Sequence, residues 1–452
     1  MEIDDEILTE FYDNRYAVQG MLIYRKASLI VVRNMQKILE ENLEKAGHEP
    51  VLFPVLIPED ILKKESEHIK GFETEVFWIT EAGKNKLDKK LAMRPTSETP
   101  IYTMFSLWIR SHKDLPMKVH QSCAVYRYET KQTKPLIRGR EFLWNEGHSA
   151  FKNSEDAENN VAEIRKIYCN LFDGLCIPYR IHRRPEWDKF PGASYTLAYD
   201  TILDGKILQI ATIHNLSEKF SKAFDITYED EKGNHKFVRL TCYGPSFGRL
   251  LASVLNIHKD DAGLKFPTNF APTQIVIVPI LTKGNNEEVL NYCRKIKEKS
   301  DKFRVVLDES DKTPGDKFYY WEKRGAMLRI EAGPRDIKNN AVVIVRRDTG
   351  KKEIIKSDEI NPKNIMEIFK DIDRNLMETA VKKFNDCLFN ANSIDEVKNL
   401  AGRGIINAGL CEDKECRDVI EAYASVLGME DAEKKCIVCG KKGKVARIGK
   451  TY

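Results

Sequence analysis

The chain has 452 residues, 42% hydrophobic and 31% charged, with Gly 25 and Pro 17; this composition suits two to four globular domains and excludes disulfide-stapled, collagen-like and disordered chains. Lys plus Arg number 73 and Asp plus Glu 69, a net charge of +4, so a polyanion site has to be local rather than a property of the whole surface. The longest apolar runs, such as Ile275 to Leu281, fall well short of the roughly 20 residues of a membrane helix, and no membrane association is expected.

The acidic opening Met1-Glu-Ile-Asp-Asp-Glu has neither the basic nor the apolar region of a signal peptide, which leads to the expectation of a cytoplasmic protein. From Ala27 to His48, Leu29, Val32, Met35, Ile38, Leu39 and Leu43 recur at helical spacing, with Gly47 as the stop. The run VLFPVLIP follows, and its Pro54 and Pro58 suit an edge or an interface rather than a central strand. Short β-type runs (VFWIT, AVYRYE, YTLAYDTI, LQIATI, FVRLTCYG) then continue to about Lys265, interrupted by a helix from Ser154 to Phe172. That order predicts an α+β domain with a mostly antiparallel sheet.

Two prolines in Phe266 to Pro272 mark a linker. Beyond it, QIVIVPIL, FRVVLDE, MLRIEAG and AVVIVRR read as strands, with helices in NEEVLNYCRKIKEK and DKFYYWEKRG, an alternation that predicts a compact α/β domain with a mainly parallel sheet. A charged helix from Ile365 to Asn385 leads into the tail. Six of the ten Cys are scattered among apolar neighbours, as buried thiols in a reducing compartment are. The other four form Cys411-x4-Cys416, nineteen residues, then Cys436-x2-Cys439-Gly440, a spacing that suits a tetrahedral thiolate Zn2+ site with a glycine turn. Four independent buried thiols are the duller alternative.

The densest chemistry lies in VYRYE (Val125 to Glu129) and RGREFLWNEGH (Arg138 to His148), where Arg127, Arg138 and Arg140 are interleaved with aromatic residues. Guanidinium forks match phosphate or carboxylate, and ring faces stack on planar ligands. Taken alone, an Arg-rich hairpin is more often a solvated surface. Here, however, Arg127-x-Glu129 with Arg138-x3-Phe142-x3-Glu146 resembles motif 2 of the class II aminoacyl-tRNA synthetases. The helix with VLFPVLIP resembles motif 1, and Cys242-Tyr-Gly-Pro-Ser-Phe-Gly-Arg249 resembles motif 3, in the order of that class. RPTSE (from Arg94), FLWNEGHSAF, RPEWDKFPGA (from Arg184), QIATIHNL and RIEAGPRD (from Arg329) are similar to prolyl-tRNA synthetases of the archaeal and eukaryotic type, so the resemblance covers essentially the whole chain.

The resemblance implies a class II catalytic domain (1–267), an α/β anticodon-binding domain (268–364) and a small zinc-binding C-terminal domain (365–452). It implies an enzyme that uses ATP with Mg2+ to activate L-proline and passes the prolyl group to tRNA(Pro), working as a homodimer with a structural Zn2+. Arg127, Glu129 and Arg249 are its expected catalytic residues, and Arg127, Arg138, Phe142, Gln209, Thr212 and Arg249 its ATP contacts. Thr96, Glu98, Arg127, Trp144, Glu146, His148, Phe190 and His214 would hold proline. Arg329, Glu331, Arg335 and Arg347 would read the anticodon, and Cys411, Cys416, Cys436 and Cys439 would bind the metal. A paralogue that activates proline or an analogue for another acceptor, and a non-catalytic tRNA-binding protein, are the alternatives. The sequence departs from the family pattern at Gly139, where Thr or Leu is usual, at Pro245 and Ser246, at Ser217-Glu-Lys in place of Gly-Gln-Asn, and at His258-Lys-Asp260 in place of His-Gly-Asp. Only about a hundred residues separate motifs 2 and 3, too few for a large editing insertion.

Overall fold

The computed structural model describes residues 5–64, 75–129, 132–282 and 286–452. Its first long helix, α1 (Lys26–Lys45), buries Val31, Val32, Met35, Leu39 and Leu43 along one face, as the apolar spacing requires. Each such side chain contributes about 1.5–3 kcal/mol on burial. The helix stops where Gly47 turns at φ +80°, its N–H returning to the Glu44 carbonyl. The apolar face of α1 is therefore consumed within the chain. Leu52, Leu56, Leu107 and Trp108 are among the large apolar side chains left exposed, and Trp108 packs on Phe53.

A second helix, α2 (Glu98–Trp108), precedes the central sheet. That sheet comprises β1 (Met117–Tyr126), β2 (Glu141–Phe151), β3 (Arg180–Arg183), β4 (Tyr195–Leu203), β5 (Lys206–Ser217) and β6 (Arg239–Pro245). Its spatial order is Glu49–Pro50, β1, β2, β6, β5, β4, β3, antiparallel throughout apart from the parallel Glu49–Pro50 edge. Helices α3 (Ser154–Gly174) and α4 (Phe247–Ile257) pack with α1. Together they bury a core of Met35, Leu39, Ile164, Tyr168, Leu251 and Val254. The antiparallel sheet read from sequence is thus present, and α3 starts at the predicted residue.

The next unit holds β7 (Ile275–Pro279), α5 (Asn286–Lys299), β8 (Val305–Leu307), α6 (Pro314–Lys323), β9 (Leu328–Ala332), β10 (Ala341–Arg346) and β11 (Lys352–Lys356). The sheet order is β8-β7-β9-β10-β11, with only the first three strands parallel. The expected mainly parallel sheet is corrected to a mixed one. A run such as AVVIVR is equally apolar in either direction, and the short link from Ala332 to Ala341 leaves no room for a crossover helix of the parallel kind. Helix α7 (Pro362–Asn385) packs Phe369 on Phe303 of this unit and carries Phe384 into a cluster with Ile202, Ile207 and Ile405. The last unit contains β12 (Ile405–Leu410), α8 (Lys414–Glu421), β13 (Ser425–Lys435) and β14 (Lys442–Gly449). With Leu388–Asn390 these strands form a four-stranded sheet.

Candidate active site

Strand alternation sends residues i, i+2, i+4 and i+6 to one face. On β2 these are Phe142, Trp144, Glu146 and His148, and all four line one cleft of about 330 Å3. On β6, Cys242 lies directly across from His148 on one side and from His214 of β5 on the other. Thr212 and His214 share that face, but Gln209 is an odd number of residues away. A β-bulge resolves the phase: Tyr199 pairs with Ala211 and Asp200 with Gln209, leaving Ile210 unpaired. Gln209 therefore also lines the cleft. Gly244 forms part of its floor, where a Cβ would come within 2.8 Å of the Asn145 carbonyl.

Three arginines converge on the cleft. Arg127 donates through Nε to the Pro95 carbonyl at 3.0 Å and lies over the rings of Phe142 and Trp144. Arg249 is held by the carbonyls of Ile137 (3.0 Å) and Gln209 (2.9 Å). Arg138 donates to Glu129 at 3.3 Å and to the Tyr452 main-chain oxygen at 2.6 Å, which brings the end of the last unit to the rim. Burial, and then the charges of Arg127 and Arg138, lower the pKa of Arg249 to about 10. Cations that disfavour one another in a part-buried cleft favour an anion with several charges.

Deeper in, the groups become acidic and ring-shaped. Thr96 Oγ1 donates to Glu98 Oε2 at 2.5 Å. Glu146 accepts from Gln121 Nε2 at 2.6 Å and from the Ser97 backbone N–H at 3.2 Å. Phe190 packs against His214 at 4.5 Å between ring centroids, and Thr196 Oγ1 lies 2.8 Å from His214 Nδ1. Every catalytic, ATP and proline residue expected from sequence, Glu129 included, lines this one cleft.

Arg184, Cys242, Glu75 and Glu141 line it too and were given no role from sequence. Arg184, Cys242 and Glu141 lie inside quoted motifs, the only signal that could have flagged them. Arg184 reaches Asp200 Oδ1, Gln209 Oε1 and the Leu427 carbonyl of β13, each at 2.9 Å. It therefore ties a cleft residue to the last unit. One departure has a physical reason, and a second, at Ser217, has no structural explanation. At Gly139 a Cβ would lie 2.9 Å from the Gly20 carbonyl. Ser217 occupies φ +51°, the left-handed region natural to the glycine usual there, with its N–H donated to Asn215 Oδ1 at 2.9 Å.

The remaining predicted residues lie elsewhere. Arg329 and Glu331 share one face of β9 and pair at 2.9 Å, beside Phe318 and Lys352. Arg335 sits on the short helix Pro334–Lys338. Arg347 does not join them: it is buried, its fork lies on Asp260 at 2.6 and 3.0 Å, and its Nε donates to the Glu322 carbonyl. Its proposed anticodon contact is replaced by a joint with the first unit. In the tail, the thiol sulfurs of Cys411, Cys416, Cys436 and Cys439 lie within 4.8 Å of one another, Cys411 and Cys439 at 3.7 Å. Tetrahedral Zn–S bonds of about 2.3 Å place sulfurs about 3.8 Å apart, so these residues fit a zinc ion. Burial would raise the Cys436 thiol, but backbone N–H groups of Cys439, Cys411 and Val438 bring it down to about 7, and Gly440 turns the knuckle at φ +76°.

The antiparallel sheet with its arginine-lined cleft defines a class II aminoacyl-tRNA synthetase core: the model of the tRNA synthetase class II core domain (G, H, P, S and T) matches residues 77–258, and that of the anticodon binding domain matches 274–365. The proline–tRNA ligase of Methanopyrus kandleri is 45% identical, over 98% of this chain and 93% of its own length. That of Pyrococcus abyssi is 46% identical, over 99% and 97%. Among solved structures, Giardia lamblia prolyl-tRNA synthetase in complex with prolyl-adenylate superimposes with a TM-score of 0.94 at 37% identity, covering 99% of this chain and 97% of that one. The chain belongs to the proline–tRNA ligase family. Among the described residues no helix is long and apolar enough to cross a membrane.

Proposed function

We propose that this protein ligates proline to tRNA(Pro), through prolyl-adenylate and release of pyrophosphate. The observation that carries the reading is the convergence of Arg127, Arg138 and Arg249 on a cleft whose deep end holds Glu98 and a ring-lined pocket. In this reading Arg127 neutralises the charge that grows on the α-phosphate as the proline carboxylate attacks, and lies between the two reacting groups. Arg138 takes the γ-phosphate, exchanging its contact with Glu129. Phe142 and Arg249 sandwich the adenine, with Gln209 and Thr212 adding polar contacts. Glu98 and Thr96 receive the two N–H donors of proline's secondary ammonium, while Trp144, His148, Phe190 and His214, with Glu146 behind them, enclose the ring. The carboxylates Glu129 and Glu141 are hard oxygen donors in the same cleft and would hold Mg2+, which screens the phosphate charge when bound.

The catalytic unit is then 1–267, the anticodon-binding unit 268–364 and the C-terminal unit 365–452. Arg329, Glu331 and Arg335 are the anticodon readers, since guanidinium and carboxylate match guanine edges. Cys411, Cys416, Cys436 and Cys439 would hold a structural Zn2+ remote from the chemistry. Exposed Leu52, Leu56, Leu107 and Trp108 are the apolar patch through which two copies would pair. Aminoacylation tests the central assignment: the wild-type chain should charge tRNA(Pro) with proline in preference to threonine, serine, glycine or histidine. A preference for any of those four would overturn it.

A further inference from the structure

Beneath the ring-lined pocket three metal-binding side chains meet. Glu98, His148 and Cys242 are all buried, and a carboxylate oxygen, an imidazole nitrogen and the thiol sulfur lie within 4.8 Å of one another. The strand register brings them together, because Cys242 is the direct cross-strand partner of His148, while Glu98 opens α2. Thr96 engages Oε2 of Glu98, and Oε1 is the oxygen turned toward Cys242, 3.7 Å from its sulfur. His148 supplies an independent observation. Its Nδ1 is held by the Tyr102 hydroxyl at 3.1 Å, whereas Nε2 is fully buried and has no hydrogen-bond partner. The nearest acid to it, Glu146 Oε2, lies at 3.5 Å. A buried imidazole nitrogen without a hydrogen bond is costly, so with Nδ1 engaged by Tyr102 the ring keeps one nitrogen available to a cation.

We propose that Glu98, His148 and Cys242 form a Zn2+ site in the floor of the cleft, and that an ion bound there excludes the amino-acid substrate. Thiolate, imidazole and carboxylate are the donors zinc prefers, and three protein ligands leave a fourth tetrahedral position open toward the cleft. Bonds of about 2.0–2.3 Å require ligand atoms about 3.3–3.8 Å apart, so the site closes by side-chain rotation of about 1 Å. On binding, the Cys242 S–H bond is broken, an S–Zn bond forms and the proton leaves to solvent. Hard Mg2+ does not compete for a thiol and imidazole pair. Exclusion follows because Glu98 cannot hold both the ion and an ammonium group. That part rests on the function proposed above, whereas the metal site itself does not.

The test uses the full chain with its tail cluster loaded. Dialysis against buffered micromolar free Zn2+ should give two ions per wild-type chain and one per Cys242→Ala chain. His148→Gln should weaken the second ion at least tenfold. Co2+ in the same position should show thiolate-to-cobalt absorption that disappears in Cys242→Ala. In wild-type protein, free of any folding defect of a variant, Zn2+ should raise KM for proline in pyrophosphate exchange and leave KM for ATP unchanged. A wild-type count of one, a second ion that persists in Cys242→Ala, or zinc inhibition that proline does not relieve would overturn the proposal. Wild-type protein with no proline-dependent exchange would instead sink the proposed function, and the ion count would still decide the site.

Discussion

At the scale of single residues, the proposed function places selection of a secondary amine on Glu98. It is buried and oriented by the 2.5 Å bond from Thr96. A buried carboxylate discriminates more sharply than an apolar wall, because a mismatched ligand leaves it without its partner. Glu98→Gln is expected to lower kcat/KM for proline by at least roughly tenfold, since about 1.4 kcal/mol of lost charge-assisted bonding gives that factor. KM for ATP should change far less. Pyrophosphate exchange measured against each substrate separates the two, and unchanged proline activation would remove Glu98 from the pocket's selective groups.

At the scale of elements, the legible part was whatever a local period controls. Phe142, Trp144, Glu146 and His148 follow the two-residue period of β2, so one strand assignment orients all four. The bulge at Ile210 was not legible, because a single unpaired residue leaves no trace in an apolar run such as LQIATI. Without it Gln209 would face away from Thr212. Neither was the fate of Arg347: an arginine that reads bases and one that locks two units together look alike in sequence, and only the position of Asp260 distinguishes them. That difference is measurable. Arg347→Ala should cost about 1–3 kcal/mol, between the exposed and the fully buried pair because Asp260 stays partly solvated, and it should appear as a lower thermal midpoint. Arg329→Ala should leave the midpoint in place and weaken tRNA binding. The reverse pattern would restore Arg347 to the anticodon face.

At the scale of the whole molecule, one core runs from α1 through α4 into the strands around Ile275 and Ile330, and Arg184, Arg347 and Tyr452 carry polar ties between units. Two buried histidines make this structure sensitive to acid. Burial lowers His48 and His258 from the usual 6.5 to about 4. His48 Nδ1 lies 2.5 Å from the Tyr243 hydroxyl, and His258 donates to the Leu175 carbonyl at 3.1 Å. Between pH 6.5 and 4 the unfolded chain takes up protons that the folded chain refuses, so stability is full above 6.5 and falls as pH drops through that window. Each histidine should account for about 2 kcal/mol by pH 5. His258→Gln should therefore flatten the fall in thermal midpoint between pH 7.5 and 5, and an unaltered slope would contradict this origin. In the proposed mechanism Arg127 is the guanidinium between the two reacting groups. The most direct measurement is proline-dependent pyrophosphate exchange by wild-type protein and by Arg127→Ala with an unchanged thermal midpoint. Robust exchange is expected in the first and a loss of at least about a hundredfold in the second, the usual scale when a preorganised charge partner of the transition state is removed. Near-normal exchange in Arg127→Ala would contradict it.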